Sequence, residues 1–540
     1  MKDMTAYAGR WVALIGEQVI GVGYTADEAL QSGKDHQTEE RAVLIFVEPA
    51  GGENLSFPLI LDGLRPLLLR VATPVYLVGG AVRDALLGRV SHDLDFVVPQ
   101  KAVRLSFEIG NAINAPAYVL DKERDTGRVV LADQETMLDF ARFRGSDLEA
   151  DLRARDFTIN ALAMPATAKT RMAIIDPTGG LRDLDARRIR IIDESALTDD
   201  PVRTLRAVRL AASLDFTLTE ETRNGIFAAV PLLVDVSAER IRDELLKILM
   251  TPQPDRAMRE MENLGLLKAT IPELAKLAGI AQPPPHYEDV LSHTWSVLKW
   301  LTRLENILFS RSEGDATFGF ALATFEPYID KLREYLGRSV NGGLDGQIIL
   351  RLAALFHDVG KRDSCTIDED GRIRFIGHEE VGADLAGRRL RQLCLSSDAI
   401  AQVSRIVSGH MRPLSLVQAQ GANPSRRAVY RYFRALDYNG LDVGLLALAD
   451  HLAAYNGPGG QEHWKSLVGL VARLFQFYFE KHEEAVKPVP FVSGRDLIDL
   501  FDMEQGPEIG RILRLIEEGQ AAGEIGSREE ALRFAQEQIM

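Results

Sequence analysis

Two aspartates stand two residues apart in HDLDFVV (His92 to Val98), shortly after LVGGAVRD (Leu77 to Asp84). On a strand, side chains at i and i+2 project from one face, so Asp93 and Asp95 present their carboxylates together. Such a pair can hold two Mg²⁺ ions about 3.5–4 Å apart. One would serve an attacking 3′-hydroxyl, the other a triphosphate and its leaving pyrophosphate. Gly79 and Gly80 let the backbone approach a triphosphate closely. The amides opening the next helix then face its phosphates, and Arg83 adds a planar cation. Alone, either fragment is more often a turn or a solvated strand end. In this order and spacing they point to nucleotidyl transfer. Gly360-Lys361 is followed by Arg362 rather than Ser or Thr, so a P-loop is not the phosphate device.

A second set lies further on: His293 in LSHTWSVL, His357 and Asp358 in ALFHDVGK, His378 in GHEEVG, His410 in SGHMRP and Asp450 in LALAD. Imidazoles mixed with carboxylates suit Mn, Fe, Ni, Co or Zn, and a bridging carboxylate favours a pair of ions. The matching chemistry is metal-assisted attack on a phosphate ester. His286 falls near the start of this region but belongs to no matching motif. The ligand set is therefore read as four histidines and two aspartates.

The elements that must position these groups follow from patterning. At 540 residues the chain predicts about three or four domains. The fold expected is α+β. A small α/β module over residues 1–55 is read as a separate unit, with Thr25 and Glu28 as a capping box. A small mixed-sheet head spans 60–197, with strands from Val75, Leu94, Ala117, Arg128 and Met137. An all-α neck spans 198–280, and its first helix opens at Asp200-Pro201 with proline at the first helical position. An all-α body spans 283–488, after the Pro-rich break Gln282 to His286, and a helical tail covers 489–540. In the last two, Arg427, Arg431 and Arg434 on one helix face, and the helix opening at Gly506-Pro507, read as surface features before phosphate contacts.

Net charge is −15, which in bulk disfavours a nucleic-acid partner, so any phosphate site must be local. Cys365 and Cys394 are the only cysteines, which excludes a disulfide framework and a Cys-based zinc site. The most apolar stretch, Pro66 to Val82, is broken by Arg70, Pro74, Gly79 and Gly80, so no membrane-spanning helix is expected. MKDMTAYAGRW lacks the apolar run of a signal peptide. A cytoplasmic location is expected.

LVGGAVRD…DLDFVV resembles the head of the class II tRNA nucleotidyltransferases and bacterial poly(A) polymerases, in the polymerase-β-like superfamily. The likeness runs from Val75 to about Leu249. Through RARDFTINALAM (Arg153 to Met164) it implies nucleotide binding by Arg155, Asp156 and Asn160. DPTGGLRDLDARRIR (Asp176 to Arg190) resembles the block joining head to neck, and ERIRDELLKIL (Glu239 to Leu249) the closing neck helix. DDPVRTLRAVRLAASLDF (Asp199 to Phe216) resembles the base-reading block. Asp200 accepts and Arg203 donates, three residues apart on one helix face, so together they present a protein-made edge to C or A. Arg206 and Arg209 extend a basic stripe toward RNA or phosphate. The superfamily also implies a third acid on a neighbouring strand, which is Asp139 here. Between Phe143 and Asp156 the chain has only RGSDLEADLRAR, where the usual tRNA-repairing enzyme carries a long flexible loop. The shortened form resembles enzymes that add two C residues and leave the final A to a partner.

The histidine series resembles the HD phosphohydrolase superfamily over about Pro283 to Pro488. The same fusion occurs in tRNA nucleotidyltransferases, where that part trims phosphates from RNA 3′ ends. The reading is a Mg²⁺-dependent enzyme adding C and/or A to tRNA 3′ ends from CTP and ATP, with a second metal-dependent phosphohydrolase activity. Its rivals are a poly(A) polymerase sharing the head, an HD phosphohydrolase whose head only binds RNA, and a non-catalytic RNA chaperone.

Overall fold

The computed structural model describes residues 4–34, 42–49, 51–133, 136–310 and 318–539. By its contacts the chain falls into two compact units, Met1–Ala229 and Val230–Met540. Residues 198–229 of the expected neck lie in the first unit and 230–280 in the second. Among the described residues, no helix is long and apolar enough to cross a membrane.

The first unit opens with β1 (Arg10–Ile15), β2 (Gln18–Gly23), α1 (Ala26–Ser32) and β3 (Val43–Val47), the strands ordered β2-β1-β3. Thr25 and Glu28 form the expected capping box at α1. Next come α2 (Leu59–Leu68), β4 (Tyr76–Val78), α3 (Gly80–Leu86), β5 (Asp93–Val98), α4 (Ala102–Ala112), β6 (Ala117–Asp121), β7 (Thr126–Val130), β8 (Met137–Arg142), α5 (Leu148–Arg153) and β9 (Ala163–Pro165). The head sheet is mixed, as expected, with order β6-β7-β8-β5-β4-β9 and one parallel pair, β5 with β8.

Strand alternation decides what each face of this sheet does. Leu77, Leu94, Phe96, Val98, Leu138 and Phe140 point to one side and pack with Leu61, Leu64 and Leu68 of α2 and Leu105 and Ile109 of α4. Phe96 and Phe140 stack there with centroids 4.8 Å apart. The intervening residues face the other way. Tyr76, Val78 and Val97 form a second core with Trp11, Ala13, Ala29 and Leu44. The N-terminal segment, expected as a separate unit, thus shares its interior with the head, because Trp11 packs edge-on against Tyr76 at 5.5 Å. Asp93, Asp95 and Asp139 lie on this same face, toward the strand ends that the apolar patch leaves uncovered.

Three α-helices follow among the described residues of this unit, α6 (Gly180–Asp185), α7 (Arg203–Leu214) and α8 (Glu220–Ala229). The expected helix start at Pro201 is corrected. The amides of Arg203 and Thr204 donate to the carbonyls of Asp200 and Pro201 at 3.0 and 3.1 Å, closing a tight turn before α7. Proline's fixed φ suits this turn as well as a first helical position.

The second unit is mainly helical. The helices Val290–Ser310, Gly346–Phe356, His378–Gln392, Ser397–Gly409 and Gly440–Ala454 carry or abut the histidine series. The tail helices Gly494–Phe501, Pro507–Ala522 and Arg528–Ile539 share a small core of Leu497, Ile509, Ile512, Ile516 and Ala531. Arg431 and Arg427 are engaged by Glu518 at 2.6 and 3.2 Å, and Arg427 by Glu524 at 2.6 Å. This basic face therefore meets protein carboxylates.

Candidate active site

In the head, Asp95 pairs in register with Val78 on one side and Asp139 on the other. That brings the acid on β8 beside the Asp-x-Asp of β5. Both Asp139 oxygens accept from Arg128 on β7, at 2.7 and 2.8 Å. Arg128 escaped the sequence reading, because a cross-strand partner depends on register and not on spacing along the chain. Burial pushes the Asp95 carboxyl up, and Asp139 and Asp93 add to this, against Arg155 and Arg128. A half-buried carboxylate beside other carboxylates draws in positive charge, which a divalent cation would supply. Mg²⁺ is typically held by one or two carboxylates plus substrate phosphates, and Asp93 and Asp95 fit that donor set.

Gly79 has φ +72°, and a Cβ there would lie 3.0 Å from Arg155 Nη1 and 3.8 Å from Asp95 Oδ2. Only glycine meets both demands, so the turn sets the backbone directly against the cation and the acid. Arg155 is held by Asp151, whose Oδ2 accepts from Nε and Nη2 at 3.2 and 3.0 Å, while its Oδ1 accepts the Arg144 amide at 2.9 Å. The i, i+4 spacing of Asp151 and Arg155 is the signal that could have revealed the pair.

A hydrogen-bonded chain joins the three motifs. Arg83 Nη1 donates to Asn160 Oδ1 at 2.6 Å, Asn160 Nδ2 to Asp156 Oδ1 at 3.0 Å, and Arg206 Nη1 to Asp156 Oδ2 at 3.0 Å. Arg83 and Asp156 are buried. Asp156 thus holds Asn160 and Arg206 in place. Arg203 lies 3.7 Å from Asp200 and donates to the Ala196 carbonyl at 3.1 Å, and Arg203, Arg206 and Arg209 share the partly exposed side of α7. Gly80 opens α3.

Burial would raise Asp156, but Arg206, Asn160 and the Phe157 amide outweigh it and hold the carboxyl below its usual range. A depressed folded-state pKa contributes stability above the unfolded value of about 3.9, and the contribution is lost as pH falls through the folded value. Asp156→Asn is therefore expected to cost about 1.5–3 kcal/mol at pH 7. The gap from wild type should narrow in thermal melts as pH falls below about 4, and curves falling in parallel there would count against it.

In the second unit, His293, His357, Asp358, His378, His410 and Asp450 come together, all buried. Asp358 uses its two oxygens in opposite directions. Oδ1 lies 3.4 and 3.8 Å from Nε2 of His378 and His410, and Oδ2 lies 3.1 and 3.8 Å from Nε2 of His357 and His293. His293 Nε2 is also 2.9 Å from Asp450 Oδ1. Donors about 2.1 Å from a common ion sit about 3.0–3.4 Å apart, close to several of these separations. His357 Nε2 is buried without a hydrogen bond, a lone pair left for an ion. Lys361 Nζ lies 2.7 Å from Asp358 Oδ2. His286, which the motif reading set aside, is brought to this cluster: its donor atom, one from His293 and one from Asp450 lie within 4.8 Å of one another.

A family profile described as "Poly A polymerase head domain" matches residues 75–190, one described as "Probable RNA and SrmB- binding site of polymerase A" matches 215–277, and an HD domain matches 290–455. An A-adding tRNA nucleotidyltransferase from Deinococcus radiodurans is 33% identical over 87% of this chain and 97% of its own length. The chain belongs to the tRNA nucleotidyltransferase family. A CC-adding tRNA nucleotidyltransferase from Thermus thermophilus is 32% identical, over 85% of this chain and 92% of the relative. Family members that differ in the nucleotide they add are thus equally similar overall, and nucleotide choice must be sought in local geometry. A solved CCA-adding enzyme in complex with ATP aligns over 89% of this chain and 96% of its own, with TM-score 0.59 and 22% identity, so the family fold extends over most of the chain.

Proposed function

We propose that the chain is a Mg²⁺-dependent, template-independent nucleotidyltransferase that adds C and/or A to tRNA 3′ ends from CTP and ATP, releasing pyrophosphate. The observation that carries this reading is the meeting of Gly79, Arg155 and Asp95 at one end of the interior strands β4 and β5, where a backbone turn, a cation and a carboxylate lie within a few ångströms. Bound Mg²⁺ supplies charge neutralisation for the triphosphate and acidity for the attacking hydroxyl. Asp93 and Asp95 would hold it. Asp139, neutralised by Arg128, sets the field beside them. Arg155, with Gly79 and Gly80, takes the triphosphate, and Arg83 steadies Asn160 beneath it. Asp200 and Arg203 offer the base one acceptor and one donor edge. The work of these residues is positioning and electrostatic preorganisation.

The connection after β8 supports C addition. Asp147 accepts the Ala150 amide at 2.8 Å as the N-cap of α5, and Asp151 grips the Arg144 amide at 2.9 Å, so the short segment is a capped turn of helix. The cluster around Asp358 supports a second, metal-dependent phosphohydrolase activity on phosphate esters of RNA ends, with a divalent ion among Mn, Fe, Co, Ni and Zn. A tRNA substrate and two unpaired cysteines, Cys365 and Cys394, suit a reducing cytoplasm.

The test offers tRNA ending before C, after C and after CC, each with CTP or ATP alone. Incorporation from CTP on the first two acceptors is the expected result. No incorporation on any acceptor rejects the reading. ATP incorporation on the CC-ended acceptor removes the restriction to C, and long tails on unstructured RNA with ATP alone favour poly(A) polymerase.

A further inference from the structure

Four histidines of the second unit share one arrangement. Nδ1 of His357, His378 and His410 lies 2.8, 2.7 and 2.7 Å from the carbonyl three residues earlier, at Ala354, Phe375 and Val407. Nδ1 of His286 lies 3.2 Å from the carbonyl of Pro283, again three residues earlier. A carbonyl only accepts, so Nδ1 carries the proton in each and Nε2 keeps its lone pair. Hydrogen bonds of this kind, made by the ring nitrogen away from the ion, orient imidazoles for metal ions. Three of these rings belong to the ligand set read from the motifs. The fourth is prepared in the same way, on the Pro-rich connector that no motif covers.

His286 also stands in the right place. Its ring centroid is 4.7 Å from that of His293, with the planes at 82°. The donors of His286, His293 and Asp450 form one close group, and those of His293, His357 and Asp358 form another. The two groups overlap at His293, whose Nε2 lies 2.9 Å from Asp450 Oδ1 and 3.8 Å from Asp358 Oδ2, so an ion on that nitrogen would draw on both. The connector is tied down at a second point, since Lys361 Nζ donates to Gln282 Oε1 at 2.6 Å while lying 2.7 Å from Asp358 Oδ2.

We propose that His286 is a direct ligand of the metal centre, completing a donor-rich position with His293, His357, Asp358 and Asp450. Among the described residues, the position on the Oδ1 side of Asp358 has His378 and His410 besides that oxygen, which would leave coordination places for water and a phosphate ester. The centre would be asymmetric: three imidazoles and two carboxylates would hold one ion as a fixture, and the sparser donor set would serve the ion that meets substrate. A set rich in imidazole favours Co, Ni or Zn over Mg at the first position. This rests on the phosphohydrolase-type reading of the site.

The test titrates Co²⁺ into chelator-treated full-length chain carrying Asp93→Ala and Asp95→Ala, so that head acids contribute no ion. Affinity is read by calorimetry and coordination by the visible Co²⁺ bands. His286→Ala should weaken the tighter ion by about tenfold or more and change its band intensity. His286→Asp, which supplies a carboxylate instead, should restore most of the affinity, and His378→Ala should weaken the other ion. Circular dichroism and melting of the metal-free proteins should be unchanged. Unaltered affinity and spectrum in His286→Ala, with Co²⁺ still bound by the parent, overturn the proposal alone. Equal weakening by His286→Ala and His286→Asp, with lowered metal-free melting, overturns it in favour of a packing role. A parent that binds no Co²⁺ overturns both this proposal and the phosphohydrolase reading.

Discussion

Asp95→Ala is expected to lower CTP incorporation by about 10²–10³-fold or more, the scale seen when one group aimed at transition-state charge is removed. The same change should leave the melting temperature unchanged or slightly raised. Asp95 is pushed up by burial and by Asp139 and Asp93, so in the metal-free protein its ionised form weakens the fold. Loss of activity without loss of stability separates a chemical role from a structural one. Labelled CTP incorporation and a metal-free melt, run on the same preparation, measure both. Incorporation within a few-fold of wild type, or a collapse of melting that accounts for the lost activity, would sink the assignment.

Arg351→Met is expected to cost about 3–5 kcal/mol of stability, because it strands a buried carboxylate. Glu305 Oε2 accepts from Arg351 Nη2 and Nε at 2.6 and 2.8 Å and from Gln347 Nε2 at 2.9 Å. Arg351 Nη1 also donates to the Leu249 carbonyl at 2.6 Å. Burial pushes the Glu305 carboxyl up, and Arg351 is the main group opposing this. The strut joins the helix Val290–Ser310, which carries His293, to the helix Gly346–Phe356, which runs directly into His357 and Asp358. Weakened divalent-ion binding should therefore accompany the loss of stability. Replacing Glu305 and Arg351 together by apolar residues of similar volume should recover most of the stability, since the cost comes from the unpaired charge. Denaturant titration of the three proteins decides it, and a single variant within about 1 kcal/mol of wild type would contradict the estimate.

Strand alternation made Asp93 and Asp95 legible as a pair on one face, and the mixed-sheet head and helical body followed from patterning. The six residues that gather with Asp358 at their centre were legible as a set because each sits in a local motif. What escaped depends on contacts between distant segments. Arg128 meets Asp139 through strand register, which no spacing within either strand encodes. Trp11 meets Tyr76 through the packing of two sheets, so a segment that reads as independent shares the head's core. His286 lies on a connector without periodicity, so nothing in its spacing shows the turn that folds it back onto His293, nor the distant Asp450 beside both. The start of α7 was misplaced by a few residues, because the φ of Pro201 satisfies a tight turn and a helix entry equally well.

The carbonyl anchors of the four imidazoles have an evolutionary consequence. Their partners are main-chain atoms, which every amino acid at positions 283, 354, 375 and 407 would still present. Substituting the neighbours therefore leaves the rings aimed as before, and drift has few ways to retune the centre short of replacing a ligand outright. A lineage that abandoned this chemistry should betray it as lost histidines or aspartates, with the surrounding helices intact.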